Sequence, residues 1–288
     1  MGLSIRCSDG RVLGGELFAV PDGVERLGTV VIACATAVKA SYYHRYAAFL
    51  AAHGFDAVTF DYRGIGASVG GSLRGQKVRW YEWGTLDIDA ALTWALERSA
   101  GLPVHLVGHS FGGFGVGLAP HASQVQRILT VGAQHAYWRD LRFKDQVRHC
   151  AQAAVAVPLV GACGYFPAKR LGLMEDLPGG VAVDWARSRK DFTTATTGDQ
   201  RAALLASLAR VTAPILALAS TDDSYATIAA IERAVAYTPN SAVRIIHLRP
   251  EQYGESSLGH FALFHSRFRR TFWEQTLRWL KAGDWPAA

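Results

Sequence analysis

Six short apolar runs, TVVIACA, DAVTFDY, PVHLVGH, RILTVGA, PILALAS and AVRIIHL, recur along the chain with helical or turn-rich segments between them. Each is rich in β-branched residues and apolar almost throughout, the pattern of strands covered on both faces. Between the first two, SYYHRYAAFLAAHG sets Tyr42, Tyr46, Phe49 and Leu50 on one stripe and stops at Gly54. Repeated right-handed crossovers of this kind predict an α/β fold, a mostly parallel sheet flanked by helices.

Ahead of the alternation, LSIRCSDGRVLGGELFAV reads as two short strands joined at Asp9-Gly10, a hairpin that would form an antiparallel edge. The alternation breaks at about His135 and resumes at about Leu205. The interval, with GACGYFPAKRLG, EDLPGG and helical fragments, reads as an insertion. The expected organisation is a core of 1–134 and 206–288 with a helical cap insertion at 135–205, and 288 residues suffice for so large a core.

Half of the residues are apolar and 19% are charged, as in a soluble globular protein. No apolar run approaches the roughly 18 residues a membrane span needs. MGLSIRCSDG lacks the apolar core of a signal peptide, so the expectation is a cytoplasmic protein with no membrane partner. Cys7, Cys34, Cys150 and Cys163 form no C-x-x-C pair and have no histidines at zinc spacing, which predicts reduced thiols and no metal, with Cys34 in the core at a strand end. The net charge of +6 is modest and its basic residues look scattered. RGQKVRWYEW comes nearest to a nucleic-acid surface and reads as a solvated loop, so no nucleic-acid partner is expected.

Chemistry concentrates in VHLVGHSFGGFGVG. G-x-S-x-G arises readily by chance, so context decides its meaning. Here Ser110 stands at the carboxyl end of a buried strand, before a small-residue helix. A serine on that strained bend needs flanking residues without Cβ, which Gly108 and Gly112 supply, and the N–H of Phe111 can then donate to an oxyanion. Neither a dinucleotide fingerprint nor a Walker A motif is present, which argues against a phosphate loop. A nucleophilic serine requires a base and an orienting carboxylate. PILALASTDD ends a late strand in Asp222 and Asp223, and SSLGHF carries His260 in a loop just before the final helix.

In these motifs the chain resembles the α/β-hydrolase superfamily, over nearly its whole length, and within it a small bacterial group with D-Y-R-G-x-G-x-S and G-H-F motifs. Here these read DYRGIGAS from Asp61 to Ser68 and GHF from Gly259 to Phe261. The resemblance implies a cofactor-independent serine hydrolase cleaving an ester, thioester or related acyl bond of a small apolar-chain substrate. Ser110 would attack, His260 carry the proton and Asp223 orient the imidazole, with an acyl-enzyme between the two half-reactions. The usual G-x-x-D spacing selects Asp223, which leaves Asp222 to face solvent or cap the next helix. Many relatives carry His-Gly after the first long parallel strand, whereas this chain reads ACATAVKAS, so the second oxyanion N–H would come from Ala37 or Thr36.

Acyl transfer by the same triad, and a catalytically silent binding protein on the same fold, are the alternatives. Asp61, Arg63, Gly64 and Gly66 read as a hydrogen-bonded turn, and His109, His247 (in a strand) and His265 (in the final helix) as structural. Trp94 and Trp273 read as core aromatics, while Phe166 and Trp185 of the insertion are candidates for substrate binding. The insertion mixes Tyr165, Leu171 and Leu173 with Lys169, Arg170, Arg187 and Arg189. That suits an apolar acyl chain with an anionic end, and equally a cap charged on its outside.

Overall fold

A computed structural model describes residues 1–285. The first two strands, β1 (Gly2–Arg6) and β2 (Val12–Phe18), form the antiparallel edge hairpin, turning through Gly10 at φ 86°. Next come β3 (Gly28–Ala33), helix α1 (His44–Ala51), β4 (Phe55–Phe60) and α2 (Asp89–Arg98). After them β5 (Val104–His109), α3 (Phe111–Gly115) and β6 (Arg127–Val131) complete the first half of the core. The sheet is finished by β9 (Ile215–Ser220) and β10 (Val243–Leu248), with α7 (Ile228–Val235) between them and α8 (Phe272–Ala282) last.

These eight strands run in the order β1-β2-β4-β3-β5-β6-β9-β10, and every pairing from β4 onward is parallel. All six expected runs are strands. Parallel order puts the carboxyl ends of β3, β5, β6 and β9 at one edge, where side chains from distant parts of the chain meet.

Between β6 and β9 lie α4 (Phe143–Cys163), a two-stranded ribbon of β7 (Tyr165–Phe166) and β8 (Leu177–Pro178), α5 (Gly179–Ala186) and α6 (Gly198–Arg210). Gly164, at φ 79°, ends α4 in the left-handed conformation that closes a helix. α6 buries Leu204 and Leu208 toward the turn after α3 and serves as the crossover into β9. The residue pair 205/206 falls inside this helix.

Two sequence expectations are corrected. RGQKVRWYEW is a solvated loop only in part: Arg74, Lys77 and Arg79 are exposed, but Trp80 and Trp83 are buried, Trp80 stacked 4.5 Å from Phe111 and Trp83 4.5 Å from Tyr62. Its charges had suggested water, but Arg79 pairs with Asp184 at 2.7 Å and the two indoles, three residues apart, turn inward together. His265 is not in the final helix, which begins only at Phe272; it links two short 3-10 turns, because Phe264 and Phe268 anchor the preceding chain in the core.

Candidate active site

β5 delivers Ser110 at φ 54° and ψ −122°, a conformation that costs an L-residue on the order of 1–3 kcal/mol. The bend is held by Ser110 N–H donating to Val131 O at 2.9 Å and by Gly113 N–H donating back to Ser110 O at 3.0 Å. It also depends on missing side chains. A Cβ on Gly112 would stand 2.3 Å from Ala33 O, and one on Gly108 2.5 Å from Gly113 Cα. The start of α3 therefore lies directly against the end of β3.

Gln134 was not among the residues singled out by sequence. Its Nε2 donates to Ser110 Oγ at 3.3 Å, while its Oε1 accepts from Ala136 N–H, which settles which amide atom faces the serine. The signal was positional, two residues past Gly132 in the loop that follows β6. Among the described residues no hydrogen bond joins Ser110 to His260.

Asp223 and His260 do meet. Asp223 Oδ2 lies 2.7 Å from His260 Nδ1, with side chains 2% and 6% exposed. Asp223 Oδ1 accepts from Tyr225 N–H at 2.8 Å and Ala226 N–H at 2.9 Å. Burial works against the carboxylate, but the facing imidazole and these two amides hold its pKa below the ordinary value. Gly132, at φ 60°, makes room for the pair, since a Cβ there would sit 2.9 Å from His260 Cε1.

Asp222 is half-exposed and caps no helix. It accepts from Ser257 Oγ at 2.6 Å and from Leu258 and Gly259 N–H at 3.0 Å, and so ties down the loop carrying His260; Thr227 caps α7 instead. Asp222 lies in the turn after β9, closed by Asp223 N–H donating to Ser220 O at 3.1 Å, so the two carboxylates reach the His260 loop at different points.

His109 is more than a spacer beside the serine. It is fully buried, with Nδ1 2.7 Å from Tyr43 Oη and Nε2 2.8 Å from His260 O. A carbonyl can only accept, so Nε2 carries the proton. Burial, followed by the nearby His260, pushes the His109 pKa down to about 3, which keeps the ring neutral and leaves Nδ1 to accept from the Tyr43 hydroxyl. Tyr43 Oη in turn accepts from Ala35 N–H at 3.0 Å. One directed chain runs from the loop after β3 to the backbone of His260.

That loop holds Ala37, buried at φ 60°, while Phe111 opens α3. Among the described residues neither N–H has an acceptor within the chain. Phe166 and Trp185 line one cavity of about 200 Å³ between α4 and α5, with Leu173, Met174 and Tyr225. The Tyr225 ring is 5.2 Å from that of His260. Asp61 accepts from Ala40 and Ala67 N–H, and Arg63 pairs with Asp87 at 2.6 Å and Asp9 at 2.8 Å, so this turn is fully engaged in structure. Cys7 and Cys34 are free and buried. No helix of the described residues is long and apolar enough to cross a membrane.

A family model described as the alpha/beta hydrolase family matches residues 30–271. The chain belongs to the alpha/beta hydrolase family. Among solved structures, this family member is similar to a soluble variant of monoglyceride lipase from Saccharomyces cerevisiae, at 14% identity and TM-score 0.65, covering 97% of this chain and 95% of that one. It is similar to GrgF, an alpha/beta hydrolase from Penicillium sp. sh18, at 15% identity and TM-score 0.62, covering 98% and 97%. It also resembles Est1E from Butyrivibrio proteoclasticus, solved with ferulic acid bound, at 15% identity and TM-score 0.58, covering 96% and 99%. No curated protein matches the sequence significantly.

Proposed function

We propose that this hydrolase cleaves an ester or related acyl bond of a small-molecule substrate through Ser110, His260 and Asp223. The observation that carries the reading is the 2.7 Å contact between Asp223 and His260, at the same sheet edge as the strained Ser110. Because Asp223 occupies Nδ1, the imidazole has Nε2 left to take the serine proton. Ser110 Oγ accepts from the Gln134 amide, so its own hydrogen is free to turn to that nitrogen.

The serine then attacks the carbonyl carbon, and the carbonyl oxygen gains negative charge. The N–H groups of Phe111 and Ala37 would receive it, fixed donors that need no reorganisation as charge develops. His260 returns its proton to the leaving group, and water, activated by the same imidazole, releases the acid from the acyl-enzyme. The segment between β6 and α6 acts as a cap, and the cavity lined by Phe166 and Trp185 takes the apolar part of the substrate.

A fluorophosphonate probe with a p-nitrophenyl ester series tests the reading. Wild-type protein is expected to be labelled and to turn over at least one ester, and Ser110→Ala to lose both, with kcat down by about 10⁴ to 10⁶. An unlabelled, inert wild-type chain would make it a silent binding protein on this fold.

A further inference from the structure

We infer that this site accepts a substrate whose apolar part carries a terminal anion, a carboxylate or a phosphate, recognised at a cationic recess behind the acyl cavity. The inference rests on the reading of Ser110, His260 and Asp223 as an acyl-cleaving site. A second, more open cavity of about 540 Å³ shares His149, Ala153 and Ala186 with the apolar one. Its wall holds Arg139, Arg187, Arg189 and Lys190 and no carboxylate.

Nearby acids do not neutralise it. Asp140, Asp145, Asp184 and Asp191 are paired with Arg233, Arg148, Arg79 and Arg201, at 2.6, 3.1, 2.7 and 2.9 Å. Among the described residues none of the four wall cations makes an ion pair; Arg139 lies over the Trp138 ring at 5.0 Å. Residues 137–148 and 187–190 hold seven of the chain's 30 basic residues and two of its 24 acidic ones, Asp140 and Asp145, both paired. α4 and the loop after α5 bring the two segments together, though 38 residues of sequence separate them.

Four unneutralised cations around a concave space raise the local concentration of anions and fix an oxygen fork through guanidinium donors. The adjoining cavity, with Phe166, Leu173, Met174 and Trp185, holds no Lys or Arg and suits a hydrocarbon. A molecule filling both would set its charged end away from His260 and its scissile carbonyl beside it. Neutral acyl esters would leave the cationic recess unfilled.

Matched p-nitrophenyl esters decide this: hemiesters of straight-chain dicarboxylic acids against their methyl-capped counterparts. In wild type the anionic member is expected to have a kcat/KM higher by roughly tenfold, mostly through KM, and the advantage should shrink as salt shortens the Debye length below about 8 Å. Arg187→Gln/Arg189→Gln should bring the anionic-to-neutral ratio near one. Competition by octyl phosphate against octanoate tells which anion is preferred. Calorimetric binding of both to the whole chain keeps the inference testable if no ester is turned over, which would overturn the activity reading alone. Equal kcat/KM for charged and capped esters, or a ratio unchanged in the double variant, overturns the anion site.

Discussion

Asp222 and Asp223, adjacent in sequence, hold the same loop at two different points: Asp223 Oδ2 is 2.7 Å from His260 Nδ1, and Asp222 Oδ1 accepts from Gly259 N–H at 3.0 Å. One carboxylate would orient the ring and the other steadies the backbone that carries it. Asp223→Asn should lower kcat by about 10⁴, by leaving the imidazole in the wrong tautomer. Asp222→Ala should lower it by less than about a hundredfold while costing about 1–3 kcal/mol of stability, since two amides lose their acceptor. Steady-state kinetics and urea midpoints on both variants check the ranking, and the reverse order would move the triad to Asp222.

Ser110 sits at φ 54° and ψ −122°, where glycine is at ease and other residues are strained. Ser110→Gly should therefore be as inactive as Ser110→Ala but more stable than it, by about 1 kcal/mol. Thermal unfolding of the two variants reads the difference directly. Equal stability would mean that the bend is not strained in solution.

The Tyr43–His109–His260 chain predicts non-additivity. His109→Phe leaves His260 O without its donor and the Tyr43 hydroxyl hydrogen without its acceptor, and should reduce kcat by about tenfold or more with KM little changed. Tyr43→Phe should have a smaller effect in the same direction. If the residues act as one unit, the double variant costs less than the two single effects together. Additive losses, or a change confined to KM, would show that His109 only fills space.

Burial pushes the pKa of His105 to about 4, of His109 to about 3 and of His135 to about 4. Unfolded, each titrates near 6.5, so between these values the unfolded chain binds more protons than the folded one. Stability from the three is fully present above about pH 6.5 and drains away as pH falls toward 4. Each steepens the fall by up to about 1.4 kcal/mol per pH unit. His105 packs edge-on to Phe55 at 5.6 Å and lies outside the site, so His105→Phe should flatten the profile. Urea midpoints at pH 7, 6 and 5 measure it; identical slopes in both proteins would exclude His105.

The six buried strands, the edge hairpin and the bend at Ser110 were legible in the residues because each is a local constraint: a short β-branched run apolar almost throughout, a turn dipeptide, two positions where Cβ does not fit. Partners that meet across the sheet edge were not. Gln134 on Ser110, Tyr43 on His109 and Asp222 on the loop at Gly259 join residues 24, 66 and 37 positions apart, and no pattern along the chain records such a meeting. The same holds for Trp80 and Trp83, whose charged neighbours suggested water until Asp184 and Phe111 closed over them. Periodicity reports which face of an element is covered. Which side chain covers it, and which cations are left without an acid, depends on packing between distant segments, and that the tertiary structure alone decided.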